Sequence, residues 1–309
     1  MSLNQPISIL AMDGFFDAVL NKLSPSFKVY YQKDLPNVSS DIQGIIATPW
    51  TKVSTELIKS LPNLKIISCF GVGVDNVDKC AAMNNKIFVT NTPDVVTEDT
   101  ADIGITLLLC LARNIVSNDK FVRSGGWQKK PIPLGTSIFG KTLGIIGLGK
   151  IGKRVAKKAE NFGLQIVYHS RTKKNVPYHF YNNLIEMAQV THFLIVCCPG
   201  GNETKNIINS DVLQALGNKG CLINISRGST VNEKDLIVAL ESGIILGAGL
   251  DVYADEPNVP EQLMKLENVV LLPHIGTATR ETRKKMLELV IENINTFFMT
   301  GEPLTPIGL

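Results

Sequence analysis

Gly147, Gly149 and Gly152 stand within LGIIGLGKIGKRVAKKAE, where a strand-like apolar run meets the start of a helix-like one. The first glycine permits a tight turn, the second lets a ligand approach the backbone, and the third lets helix and strand pack closely. The helix N-terminus then offers N–H groups and positive potential to a pyrophosphate. Alone, this glycine spacing also marks ordinary turns. Between a strand and a helix it reads as a dinucleotide site formed by Gly147, Leu148, Gly149, Lys150, Ile151 and Gly152.

Where the next strand ends, such a unit usually places an Asp or Glu that accepts hydrogen bonds from the adenosine ribose. This chain has YHSRTKKN at 168–175, with Ser170 at the position expected for the acid, then Arg171, Thr172, Lys173 and Lys174. A carboxylate there would repel a 2′-phosphate, whereas a hydroxyl beside a planar guanidinium suits one. The lysines strengthen the local field, partly screened by salt. The cluster favours NADPH (NADP when oxidised) over NADH; a solvated basic loop is the competing reading.

Three further stretches put a polar residue just after an apolar run: INISRGSTVNE (223–233), GAGLDVYADEPNVP (247–260) and VVLLPHIGTAT (269–279). Ligands of open α/β sheets bind at the carboxyl ends of strands, so Arg227, Glu256 and His274 are expected to meet. Singly, each also has an ordinary reading, as a structural ion pair, a solvated turn residue or a loop cap. His169, His179 and His192 lack such surroundings and read as structural or surface residues.

At these stretches the chain resembles the D-2-hydroxyacid dehydrogenase family, over nearly its whole length. CFGVGVDNVD (69–78), VTNTPDVVTEDTAD (89–102), GIIGLGKIG (144–152), NISRG (224–228), GLDVYADEP (249–257) and LLPHIG (271–276) carry the resemblance. It is similar in particular to the NADPH-dependent glyoxylate/hydroxypyruvate and hydroxyphenylpyruvate reductases, whose second strand also ends in Ser-Arg-Ser/Thr. The resemblance implies that His274 protonates the substrate carbonyl oxygen as hydride arrives, that Glu256 orients the ring, and that Arg227 pairs with the substrate carboxylate. Imidazole suits proton transfer near neutral pH, and guanidinium suits a carboxylate. The resemblance also implies a second carboxylate anchor at the amides around Val72 and Gly73. It gives Asp251 the nicotinamide carboxamide, and sets Ile225 and Ser226 along the same cofactor face. The family dimerises through a long helix and arm, so Trp127 in RSGGW is expected in that contact or reaching the neighbouring subunit's site. Trp50 in IATPWTKV either faces the substrate or packs.

These residues need a frame. Strand-like runs ISILAM, FKVYY, IQGIIAT, LKIISCF and KIFVTNT fill the first hundred residues, and LGIIG, LQIVYHS, THFLIVCC, GCLINIS, ILGAGLDV and NVVLLPH form a second series. Runs apolar on both faces and separated by helical patterns predict parallel strands. The expected fold is α/β: two doubly wound parallel-sheet domains, with a Rossmann cofactor domain inserted in a flavodoxin-like substrate domain. Residues 1–97 and 287–309 would form the substrate domain. Residues 98–286 would form the NADP-binding domain with the dimerisation helix and arm, the segment 97–127 holding a substantial helix at the joint. The final helix is expected to end at Gly301, with the tail PLTPIGL packing on the first domain.

Composition narrows the classes. With 31 basic and 28 acidic residues in 309, net +3, no nucleic-acid partner is expected. No run approaches the roughly 18 apolar residues of a membrane span, so no membrane partner is expected either. The opening MSLNQPISIL lacks the features of a signal peptide, and Met1–Leu3 reads equally as native or as a cloning remnant. Six cysteines without a CxxC pair read as structural thiols in the cytoplasm. Four histidines without metal-ligand spacing imply no metal. The expectation is therefore a cytoplasmic homodimer that reduces a small 2-oxo acid, glyoxylate or hydroxypyruvate, with catalysis in the cleft between its domains. Hydroxyphenylpyruvate is the alternative substrate, and a dinucleotide-sensing corepressor is the rival from another class.

Overall fold

The computed structural model describes residues 6–12 and 27–308; Met1–Leu3, of open origin, lie outside them. The chain divides into two compact units, Met1–Val96 with Thr279–Leu309, and Thr97–Ala278.

The first unit holds β1 (Ile7–Ala11), β2 (Phe27–Tyr31), β3 (Ile42–Ala47), β4 (Ile66–Cys69) and β5 (Phe88–Thr90). They form a parallel sheet in the order β2-β1-β3-β4-β5. Successive residues serve opposite faces, as a pleated strand requires. Leu10, Ile45 and Ile67 pack with Ile58 and Ala82 on one side. Ile9 and Ile46 pack with Met286, Val290 and Ile294 on the other. Those last residues lie on the helix Arg280–Thr300, capped by Thr279 Oγ1 accepting from Thr282 N and stopped by Gly301 at φ 90°. The tail then returns as expected, with Ile307 N donating to Val89 O at 2.9 Å. Because this helix is continuous, the second join lies at Ala278/Thr279 rather than at the expected 286/287, which would cut the helix; the first lies at Val96/Thr97.

The second unit holds β6 (Thr142–Ile146), β7 (Gln165–His169), β8 (His179–Phe180), β9 (Phe193–Val196), β10 (Cys221–Asn224), β11 (Gly247–Leu250) and β12 (Val269–Leu271). Their order is β12-β11-β10-β9-β6-β7-β8, all parallel. The chain leaves β6 for β7 on one side and later returns to place β9 on the other. A crevice opens at such a reversal, beyond the carboxyl ends of the strands. The substantial helix expected within 97–127 is Thr97–Ala112; a second helix, Ile115–Arg123, follows it at a bend of 60°. The break falls at Asn114, whose φ of 52° is left-handed and cannot continue a helix. Glu98 ties the first of these helices to Arg154, at 2.5 Å, and to Lys158, on the helix Lys150–Glu160. No single helix among the described residues is long and apolar enough to cross a membrane.

Candidate active site

The β6 turn shows why two of its three glycines are needed. Gly147 has φ 90°, and a Cβ on it would lie 2.6 Å from the Cys198 backbone. A Cβ on Gly152 would overlap Gly147 O, whereas one on Gly149 would meet nothing within 4 Å. Space over the middle glycine is therefore open on the ligand side. Gly149 precedes the first turn of Lys150–Glu160 and has no side chain with which to cap it. That arrangement fits a pyrophosphate. Leu148 is buried and fixes the turn from below.

Ser170 directly follows β7, whose last residue, His169, accepts Gly147 N at 2.9 Å. Ser170 Oγ donates to Thr172 O at 2.8 Å, and Lys174 Nζ to Thr172 Oγ1 at 2.9 Å. From the core below, the fully buried Tyr168 accepts Lys174 N at 2.8 Å and donates to Lys174 O at 3.3 Å. Arg171 is exposed and reaches Glu203 Oε2 at 3.2 Å. Of the histidines given no chemistry, His169 contacts Tyr181 O, His192 accepts Thr142 N, and His179 stacks edge-on against Tyr181.

Arg227, Glu256 and His274 come together within this unit. Arg227 leaves β10 on a turn shaped by the buried Asn224, which accepts Ser226 N and donates to Arg227 O, each at 3.0 Å. Any Cβ on Gly228 would overlap Tyr253 O, so glycine alone lets this turn press against the segment carrying Glu256. Glu256 Oε1 accepts Tyr253 N at 3.0 Å, and Oε2 lies 2.6 Å from His274 Nδ1. Burial pushes the Glu256 carboxyl up, but the His274 hydrogen bond and charge, the Tyr253 amide and the Arg227 charge outweigh it. The group is held below its ordinary range.

Asp251 has a duty that the resemblance did not imply. It is 1% exposed, and its two oxygens accept Ile275 N at 2.7 Å and Gly276 N at 2.8 Å. It thereby holds the loop that bears His274. Burial raises its pKa, with the Ile275 amide and the His274 charge opposing. Ile225 and Ser226 are buried beside it at the end of β10, and Ser226 Oγ donates to Cys198 O. Val72 and Gly73 lie in the other unit just past β4, where Val72 O accepts Asn91 Nδ2. Trp50 and Trp127 are both exposed. Cys69, Cys198 and Cys221 are buried thiols, and Cys80 is exposed.

Sequence reasoning passed over Asn224, Tyr253 and Tyr168. A buried Asn before Ser-Arg-Gly was a readable sign of a shaped turn. Nothing in the residue order marked either tyrosine.

A reversing parallel sheet, a glycine turn with open space over Gly149 and a strand-end Arg–Glu–His cluster are the features of a dinucleotide-binding domain with an acid–base pair at its strand ends. The model of the D-isomer specific 2-hydroxyacid dehydrogenase NAD-binding domain matches residues 105–276. The chain is 46% identical to glyoxylate/hydroxypyruvate reductase A of Arabidopsis thaliana, covering 98% of this chain and 99% of that protein. It is 44% identical to hydroxyphenylpyruvate reductase of Plectranthus scutellarioides, with 98% and 99% covered. It matches the crystal structure of an NADPH-dependent glyoxylate/hydroxypyruvate reductase from Sinorhizobium meliloti, in complex with NADP and malonate. There the TM-score is 0.93 at 42% identity, covering 98% of this chain and 97% of that one. The chain belongs to the D-isomer specific 2-hydroxyacid dehydrogenase family.

Proposed function

We propose that the protein uses NADPH to reduce a small 2-oxo acid, glyoxylate or hydroxypyruvate, to glycolate or the D-2-hydroxy acid. The observation that carries this reading is the 2.6 Å Glu256–His274 pair, under the influence of the Arg227 charge, in the unit that bears the glycine turn. A reduced nicotinamide bound there supplies hydride. His274, held at Nδ1 by Glu256, gives a proton from Nε2 to the carbonyl oxygen and takes it back in the oxidation direction. Ionised Glu256 stabilises the imidazolium and fixes the ring. Arg227 pairs with the substrate carboxylate and polarises the adjacent carbonyl. The amides of Val72 and Gly73 are the first unit's anchor for a carboxylate. Ser170, Arg171 and Thr172 hold the 2′-phosphate, and Ile225, Ser226 and Asp251 serve the nicotinamide end.

The working particle is a cytoplasmic homodimer. Six cysteines are in keeping with a reducing compartment, and the exposed side chains of Ile115, Val122, Trp127, Ile132 and Leu134 are in keeping with a second copy covering them.

NADPH oxidation by the purified protein, measured against 2-oxo acids of graded size, tests the reaction and separates glyoxylate from hydroxyphenylpyruvate. His274→Ala should lower kcat roughly 10²–10⁴-fold, while NADPH affinity by fluorescence titration stays within about twofold. Near-normal turnover in the variant removes His274 from proton transfer. NADPH binding by the wild type without turnover on any 2-oxo acid would instead identify a dinucleotide-sensing binding protein.

A further inference from the structure

The sheet order β9-β6-β7 sets the loops after three neighbouring strands along one edge. The glycine turn follows β6, Arg171 follows β7, and Glu203 follows β9. Gly147 packs directly against the backbone of Cys197 and Cys198, where the β9 loop begins. That loop is pinned. Thr204 N donates to Gly201 O at 3.1 Å and Thr204 Oγ1 to Pro199 O at 2.7 Å, closing a turn around Glu203. Asn206 N and Ile208 N then tie it to Ser229 O and Thr230 O. From this base Glu203 Oε2 reaches Arg171 Nη1 at 3.2 Å.

The basic group assigned to a 2′-phosphate is thus matched by a carboxylate from the opposite side of the dinucleotide turn. Both partners are highly exposed, at 82% and 76%, so the pair contributes little to the fold and does not lock the guanidinium. Its effect is one of charge. A phosphate placed on Arg171 carries close to two negative charges and must share that cation with the neighbouring carboxylate. Lys173 and Lys174 add positive charge on the Arg171 side, and Lys205 adds it beside Glu203.

We propose that Glu203 restrains cofactor choice: its carboxylate competes with the 2′-phosphate for Arg171, so it lowers the preference for NADPH over NADH. The inference rests on the NADPH reading above and adds a residue that opposes it. A glutamine at this position keeps the length and a hydrogen-bond acceptor while removing the charge. A simple structural lesion would weaken ligand binding; release of a competing charge strengthens it.

The test is calorimetric titration of the full-length protein with adenosine 2′,5′-bisphosphate and with AMP, paired with kinetics on NADPH and NADH. Glu203→Gln should tighten the bisphosphate about threefold at low salt, as expected for one screened charge a few ångströms from a phosphate. AMP affinity should change much less, and the gain should shrink as ionic strength rises. The ratio of kcat/KM for NADPH over NADH should rise by a similar factor. An unchanged or weakened bisphosphate affinity overturns the proposal. Arg171→Ala separates the layers. If it lowers bisphosphate affinity while Glu203→Gln brings no gain, only the role of Glu203 falls. If it leaves bisphosphate affinity intact, the phosphate site and this inference fall together.

Discussion

His274 sits at φ 53°, a conformation that costs a non-glycine residue roughly 1–2 kcal/mol. Two carboxylates hold it there. Asp251 takes the next two amides, and Glu256 takes the ring. Glu256 is the part of this arrangement with a clear pH signature. Its pKa in the folded protein lies below the ordinary 4.5, chiefly because the His274 hydrogen bond and charge outweigh burial. Such a group adds stability that is fully present above its unfolded pKa and is lost as pH falls through the lower folded value. Glu256→Gln should therefore be less stable than the wild type at neutral pH, by about 1–3 kcal/mol for a buried charge-assisted hydrogen bond. The gap should narrow on acidification below about pH 4.5, where the wild type loses its carboxylate. Thermal unfolding of both proteins from pH 3 to 7 measures this. A gap independent of pH would mean that the pair contributes through packing and not through charge.

At the scale of the element, chemistry is carried by loops whose shape is set from beneath. Tyr168 lies wholly inside the core, yet its hydroxyl makes two hydrogen bonds to Lys174 and so closes the loop that displays Ser170, Arg171 and Thr172. Tyr168→Phe leaves the ring packing and removes only this tether. We expect the KM for NADPH to rise about fivefold, as a net loss of about 1 kcal/mol from the two hydrogen bonds allows, with kcat within twofold and a smaller effect on NADH. Steady-state kinetics with both cofactors decide it, and an equal rise in the two KM values would show that the tether does not serve the phosphate. The sequence made the strands of both sheets legible because buried parallel strands are apolar on both faces, as in LGII and FLIV. The Arg227, Glu256 and His274 positions were legible because each polar residue follows such a run. The two residues of β8 were too few to signal a strand, and the break at Asn114 left no glycine or proline in view. Asp251 acts through bonds to backbone amides more than twenty residues away, which residue order does not encode.

For the whole molecule, the apolar side chains left in water are as informative as those buried. Leu134 is 91% exposed and Trp127 69%, in a segment that follows the bent helix pair. Residues 130–136 border a cavity of about 960 Å³ that is also lined by Phe121, Met264 and Val270. A chain working alone gains nothing from holding leucine and tryptophan side chains in water beside such a hollow. A second copy docking on this face would remove them from solvent at roughly 25 cal/mol per Å² of apolar area. Both sheets already have apolar faces covered within the chain. Leu134→Asp places a charge at the most exposed of these positions and leaves both cores untouched. Light scattering after gel filtration should report a dimer for the wild type and a shift towards monomer for the variant at micromolar concentration. The variant's thermal unfolding should then fall to lower temperature and become less dependent on protein concentration, because the mass-action stabilisation that subunit association gives the folded state is lost. A wild type that runs as a monomer at every concentration, or a variant that dimerises unchanged, would show that this face serves another purpose.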